Sequence, residues 1–352
     1  MSVAYMQEGL TLAPNWNNDP DLVLALQRDL RALGYLAGGL DGRYGPGTTR
    51  AVQALQYDLL HADASARATD GPETVTIASF NSIATVVGMS RVTQVTGIVD
   101  HATAACISRL LNDARVPKIP DAADPKDQNE RALAAIGRQI SEIAPTPFVR
   151  AIVMQESGGQ HYHVPSGDDD KFLTVGLDHG DPMIPWRITS RGYGIGQHTL
   201  FHHPPHPHEV ETLIADPVRN VQHTFGILRD KFDHFVVGPT SRADDRTAEH
   251  PLLPLRTCRY APGDARYLRD CRRCAESARK IRLSAGVPVY PSATLQLRPD
   301  ANYKSADYAG VPDRADFQCD WPYAVRRYNG AGNDSYHYQA RVLLDLLRPL
   351  AP

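Results

Sequence analysis

Apolar positions recur at helical spacing through the first third of the chain. Leu26, Leu30 and Leu33 fall at i, i+4 and i+7 and so share one helix face, and Gly34 behind them supplies a stop. Tyr35-Leu36 and an Asp41-Gly42 turn come next. Thr48 or Thr49 then stands where a cap is needed, before a second helix carrying Val52, Leu55 and Leu59. A related stretch, Gly97-Ile98-Val99-Asp100, leads through Thr103 into a third helix with Ile107, Leu110 and Leu111. The pattern predicts a three-helix module over residues 21–114, preceded by an extension at 1–20.

The periodicity stops at 115–128, VPKIPDAADPKDQN, where Pro and Asp replace large apolar side chains, as in a linker. From 129 it resumes. NERALAAIGRQISEIAPTPFVRAIVMQESGGQ predicts one helix to about Ala144, a break at Pro145-Thr146-Pro147, and a second helix from Pro147 that Gly158-Gly159 ends. A further helix is expected at 336–349. Between these lie long stretches rich in Pro, His and Asp, the longest an insertion at 233–320. The expected fold is mainly α: a small helical module followed by an α-rich domain, 129–352, with long loop insertions.

Composition narrows the function classes. The chain has 352 residues, 42% of them apolar, which is enough for more than one packed core. Its net charge is −3 with 37 Lys and Arg, far from the concentrated basic field of a nucleic-acid binder. No apolar run approaches the roughly 20 residues of a membrane-spanning helix. The N-terminal stretch has no basic residue before Arg28 and no apolar block, so ordinary secretory export is not expected. Of five cysteines, Cys258, Cys271, Cys274 and Cys319 lie in the C-terminal half. They suit two disulfides in an oxidising compartment, or a zinc site in which Cys271-Arg272-Arg273-Cys274 forms one knuckle.

Candidate chemistry centres on Glu156, in the last turn of the helix that ends at Gly158. Ile152 and Val153, at i−4 and i−3, set its base against an apolar surface. Burial and the negative end of the helix both disfavour the carboxylate, so this acid is expected to keep its proton and to protonate a leaving oxygen. Further along stand Gly192-Tyr193-Gly194-Ile195-Gly196-Gln197, Asp216-Pro217 with Asn220, and Arg327-Tyr328-Asn329-Gly330. Glycines before Gln197 would let backbone approach a sugar closely, while amides at Gln197 and Asn329 can donate to and accept from sugar groups.

LQRDLRALGYLAGGLDGRYGPGTTRAVQALQ, within residues 22–56, resembles the peptidoglycan-binding module found beside many wall hydrolases. The ordered set Glu156-Ser157, Gly192-x-Gly194-x-x-Gln197, the segment DPVRNVQHTFGILRDKF and Tyr328-Asn329 resembles the lysozyme-like superfamily of soluble lytic transglycosylases and goose-type lysozymes. That resemblance implies cleavage of peptidoglycan at the MurNAc-GlcNAc β-1,4 bond. Glu156 would act as acid and then base, with Ser157, Gly194, Gln197, Asn220, Tyr328 and Asn329 around the glycan. A lytic transglycosylase needs one carboxylate and leaves a 1,6-anhydro end, whereas a lysozyme generally needs a second. Goose-type enzymes carry an Asp two residues after the family Gln, where Thr199 stands here. Asp168, Asp169, Asp170, Asp178 and Asp181 are the acids that follow Glu156, and Asp169, Asp178 and Asp181 are the candidates for a second carboxylate. Both activities stay open, with the transglycosylase preferred; a non-catalytic wall-binding component is the rival class.

The run His198-Thr199-Leu200-Phe201-His202-His203-Pro204-Pro205-His206-Pro207-His208 carries imidazoles, but its prolines make a stiff, extended loop rather than a helix face. It reads as a loop flanking the sugar groove. No metal and no cofactor are expected. The expected partners are peptidoglycan and an immunity or delivery protein, with action on a target cell's wall through phage lysis or a contractile secretion system.

Overall fold

The computed structural model describes residues 2–61, 75–86, 90–138, 144–164, 171–237, 319–330 and 334–347. It is mainly helical with one small three-stranded sheet. Two compact units divide the chain: residues 1–129 with 160–220, and 130–159 with 221–352. This partition differs from the boundary expected at 115–128, because the segment 160–220 joins the N-terminal module. The 115–128 stretch is no bare tether. Val116, Ile119 and Ala122 are buried, and Ile119 N–H donates to Ala32 O at 2.8 Å.

In the first unit, α1 (Pro20–Ala32), α2 (Pro46–Leu60), α3 (Ile77–Val86) and α4 (His101–Asn112) enclose a core of Val23, Leu26, Leu30, Val52, Leu55 and Ile107, each essentially inaccessible to solvent. Helix α3 is additional to the three helices expected for this module. Two glutamines organise the turns. Gln27 Oε1 accepts from Asp41 and Gly42 N–H, while its Nε2 donates to Asp41 Oδ1, Arg43 O and Thr48 Oγ1. Gln56 does the same one repeat later, accepting from Thr96 and Gly97 N–H and donating to Ile98 O and Thr103 Oγ1. Gly42 and Gly97 take positive φ, 66° and 70°, where other residues would be strained. Each glutamine therefore satisfies a buried turn that no ladder serves.

The duplication is visible as Leu26-Gln27-x-Asp29-Leu30 and Leu55-Gln56-x-Asp58-Leu59. Tyr5 donates to Asp29 and Tyr35 to Asp58, each at 2.7 Å. The expected threonine caps need correction. Gly45 is the N-cap of α2 and makes no side-chain cap, and Asp100 caps α4 by accepting from Thr103 N–H at 2.8 Å. Thr48 and Thr103 serve the glutamines instead.

Segment 160–220 adds an antiparallel sheet, β1 (Val175–Asp178), β2 (Ser190–Tyr193) and β3 (His198–Leu200), with Val175 opposite Tyr193 and Tyr193 opposite His198. From β2, buried Arg191 donates Nε to Gly34 O at 3.0 Å and places Nη2 3.6 Å from Asp58. The sheet is thereby tied to the turn after α1. A second small core of Ile119, Ala122, Tyr162, Leu173, Val175, Tyr193 and Ile214 lies beneath it. The chain then makes a short helical turn α7 (Pro207–Glu209) that runs into a π turn, Val210–Ile214.

Helices α5 (Pro125–Arg138) and α8 (Pro217–Phe232) carry the chain from the first unit into the second. There α6 (Thr146–Ser157) packs on α10 (Asp334–Leu347), which also packs on α9 (Trp321–Tyr328). Phe148, Val149, Ile152 and Val153 form the buried face of α6, and Phe232 stacks on Trp321 at 4.2 Å. Cys319 is buried just before α9; Cys258, Cys271 and Cys274 lie outside the described residues, and with them the disulfide or zinc expectation. Among the described residues no helix is long and apolar enough to cross a membrane.

Candidate functional site

The nominated residues form two clusters, one in each unit. In the second unit, α6 ends at Gly158 in the left-handed conformation, φ 65°, whose N–H closes on Met154 and Val153 carbonyls. This stop leaves Glu156 half-buried in the final turn, above fully buried Ile152 and Val153. Tyr338 of α10 donates its phenol to Glu156 Oε1 at 2.5 Å. Burial and the neighbouring Glu156 charge hold the Tyr338 phenol well above its ordinary pKa, so it remains a donor. The Tyr328 ring is stacked 6.2 Å from that of Tyr338 with planes 8° apart, and burial plus the Glu156 charge raise its phenol too, opposed by a hydrogen bond from Thr224.

Thus α6, α9 and α10 bring Glu156, Tyr328 and Tyr338 together. Ser157 turns its hydroxyl back to Val153 O at 3.0 Å, a local helix contact that leaves it half-buried. Asn329 is exposed at the C-terminal end of α9. Sequence reasoning missed Tyr338. Its partner is 182 residues away, and the only signal was its position inside the helix expected at 336–349.

In the first unit the glycine-rich element is a tight turn between β2 and β3, and its logic is internal. Fully buried His161 accepts from Ile195 N–H on Nδ1 at 3.2 Å and meets Ile214 O from Nε2 at 2.7 Å. The ring is therefore the neutral tautomer with hydrogen on Nε2. Burial pushes its pKa down to about 4, against the pull of the Ile214 carbonyl and Asp216. Asn220, wholly buried, accepts from Gly196 N–H at 2.9 Å and donates to Tyr193 O and Leu213 O. Its amide holds the turn from inside.

Gly194 is buried with φ 71°, and a Cβ there would sit 2.5 Å from His161 Nδ1 and 2.8 Å from Asn220 Nδ2. The absence of a side chain lets His161 and Asn220 pack against it. Gln197, also at positive φ (47°), donates Nε2 to Gly194 O at 2.7 Å and Thr174 O at 3.2 Å. Its Oε1 lies where a Cβ on Gly176 would be 2.5 Å away and one on Gly192 2.9 Å away. The neighbouring glycines make room for the glutamine itself. Among the described residues no donor reaches Gln197 Oε1, and the residue is half-buried, so this oxygen keeps its capacity to accept.

Of the acids considered as a second carboxylate, Asp178 accepts from Ser190 Oγ at 2.6 Å, and Asp181 from Met183 N–H at 2.9 Å, with Arg187 3.4 Å away. Asp169, like Asp168 and Asp170, lies outside the described residues.

A mainly helical protein with a duplicated, glutamine-braced module at its N-terminus is the class these features define. Residues 19–59, covering α1, the Gln27-braced turn and all but the end of α2, match the peptidoglycan binding domain family model. No curated protein and no solved structure matches the chain. Residues 19–59 are thus similar to a peptidoglycan-binding domain, which supports association with the cell wall and peptidoglycan as a partner.

Proposed function

We propose that the protein cleaves peptidoglycan glycan strands at the MurNAc-GlcNAc β-1,4 bond, as a lytic transglycosylase with Glu156 as its acid and base. The observation that carries this reading is the Glu156 carboxylate held at 2.5 Å by the Tyr338 phenol, in a chain whose N-terminal module matches a peptidoglycan-binding family. Glu156 gives its proton to the glycosidic oxygen as the bond from C1 breaks. The carboxylate so formed takes the proton of the muramyl 6-hydroxyl as that oxygen bonds to C1, and the acid is regenerated. Tyr338 donates to the carboxylate and so supports the second half of this cycle, when the negative charge is present.

A single carboxylate suffices for such a step. The engagement of Asp178 with Ser190 and of Asp181 with Arg187 favours it over hydrolysis with a second acid. The proposed place of action is the cell wall, with Gln197 Oε1 and Asn329 as candidate glycan contacts.

The test is clearance of a sacculus suspension and mass spectrometry of the released muropeptides. Wild type should release 1,6-anhydro ends, which are one water lighter than hydrolysed ends. Glu156→Gln should release none while still sedimenting with sacculi through residues 19–59. Equal release by the variant would remove Glu156 from the mechanism, and reducing ends in place of anhydro ends would make the enzyme a lysozyme. A wild type that binds sacculi and releases nothing would make the protein a wall-binding component.

A further inference from the structure

The histidine-rich run, read in sequence as an extended loop, folds into a convergent cluster. His206 is the N-cap of α7 and Glu209 its third residue, joined in a capping box in which Glu209 Oε2 accepts from His206 N–H at 2.7 Å. Pro204 and Pro205, both buried, bring the chain back so that His202 Nε2 lies 2.8 Å from the same Oε2. One ligand atom from each of His202, His206 and Glu209 falls within 4.8 Å of the others, and all three residues are half-buried.

From this geometry we infer that His202, His206 and Glu209 form a binding site for a divalent transition-metal ion of the zinc class. The inference is independent of the reaction assigned to Glu156. Two imidazoles and a carboxylate are the donor set that such ions prefer over calcium or magnesium. Around a tetrahedral ion with bonds of about 2.0–2.1 Å the donors stand roughly 3.3 Å apart, so the cluster needs only side-chain rotation to close.

The carboxylate is already oriented by the His206 N–H, as supporting hydrogen bonds orient metal ligands. Binding displaces the His202–Glu209 hydrogen bond and the contact of the His206 ring with the Glu209 N–H. That N–H keeps His206 O as acceptor at 3.0 Å. Three protein ligands leave a fourth position for water. The hydroxyl of Tyr193, wholly buried, has no hydrogen-bond partner among the described residues, and burial together with the charge of Glu209 raises its pKa against the pull of Arg191. The prolines that argued against a metal in the sequence are what preset the ligands, by a cap and a turn instead of a helix face.

Untagged full-length protein dialysed against Co2+ or Zn2+, then against buffer, tests the site. One equivalent per chain should remain. Its cobalt spectrum should show the strong visible absorption of a four-coordinate ion without sulfur-to-cobalt charge transfer. Zinc X-ray absorption should show nitrogen and oxygen scatterers at about 2.0–2.1 Å, with imidazole among them. His202→Asn combined with His206→Asn should lower affinity by roughly 100-fold or more, and Asn at 206 keeps a favourable N-cap. Loss of all metal on dialysis, sulfur in the coordination shell, which would point to the cysteines instead, or unchanged affinity in the double variant would each overturn the assignment. Should that variant not fold, the scattering shell of wild type decides alone.

Discussion

His161 should make the first unit sensitive to mild acid, and its environment sets the size of the effect. The ring is fully buried, accepts from Ile195 N–H and donates to Ile214 O, so a proton added at Nδ1 would face a donor with no acceptor. Its folded pKa is lowered from 6.5 to about 4, with burial the main cause. In the unfolded chain the same imidazole takes a proton below about pH 6.5. The contribution of the neutral ring is therefore complete above about pH 6.5, is mostly lost as pH falls from there to about 4, and levels off below that. At about 1.4 kcal/mol per pH unit, the full gap corresponds to about 3.5 kcal/mol, of which about 3 is lost by pH 4.

Other groups titrate in the same window, so the measurement is a difference. Urea unfolding of wild type and His161→Gln, a variant that cannot titrate, is followed at several pH values between about 7.5 and 4. Gln will cost stability at neutral pH. That deficit should then shrink by about 3 kcal/mol toward pH 4, because only wild type loses the term. A deficit constant to within about 0.5 kcal/mol would refute the reasoning, as would an imidazole resonance of His161 that titrates near 6.5 in the folded protein.

Two further outcomes follow from particular contacts. Gly194→Ala should destabilise by about 3 kcal/mol, summing about 1–2 for an L side chain at φ 71° and about 1–3 for the clash with His161 and Asn220; thermal unfolding checks this, and an unchanged midpoint would mean that the turn relaxes freely. Tyr338→Phe removes the donor to Glu156, a hydrogen bond to a charged group worth about 1.5–3 kcal/mol, and should cut turnover roughly 10- to 100-fold with sacculus binding unchanged; full activity in this variant would show that Tyr338 does not position the carboxylate.

Helices α1, α2, α4 and α6 were legible because their apolar residues keep the helical period for three turns or more. Pro, Gly and a change of pattern marked their ends. The sheet was not. Its strands have three or four residues, too few for alternation to register, and β2 carries a glycine that favours no regular structure. Helix capping was misread for a different reason. Thr48 and Thr103 are residue types that cap helices, but Gln27 and Gln56 compete for their hydroxyls from a preceding helix. No local pattern reports that long-range bond.

The same competition governs the reading of the site. An amide or hydroxyl suited to a sugar is equally suited to the chain's own buried backbone, and a buried turn leaves its peptide groups costly unless something satisfies them. Asn220 and Gly194 match a sugar-site pattern by type and order, yet their capacity is used within the turn, the first by three hydrogen bonds and the second by close packing. Gln197 is half committed, with its nitrogen engaged and no donor to its oxygen among the described residues. Residue type and spacing therefore nominate such positions, and the count of hydrogen-bonding capacity left after folding separates those that hold the site from those able to meet a substrate. By that measure Gln197 Oε1 and exposed Asn329 remain candidates for glycan recognition, while Asn220 and His161 set the shape of the turn that presents Gln197.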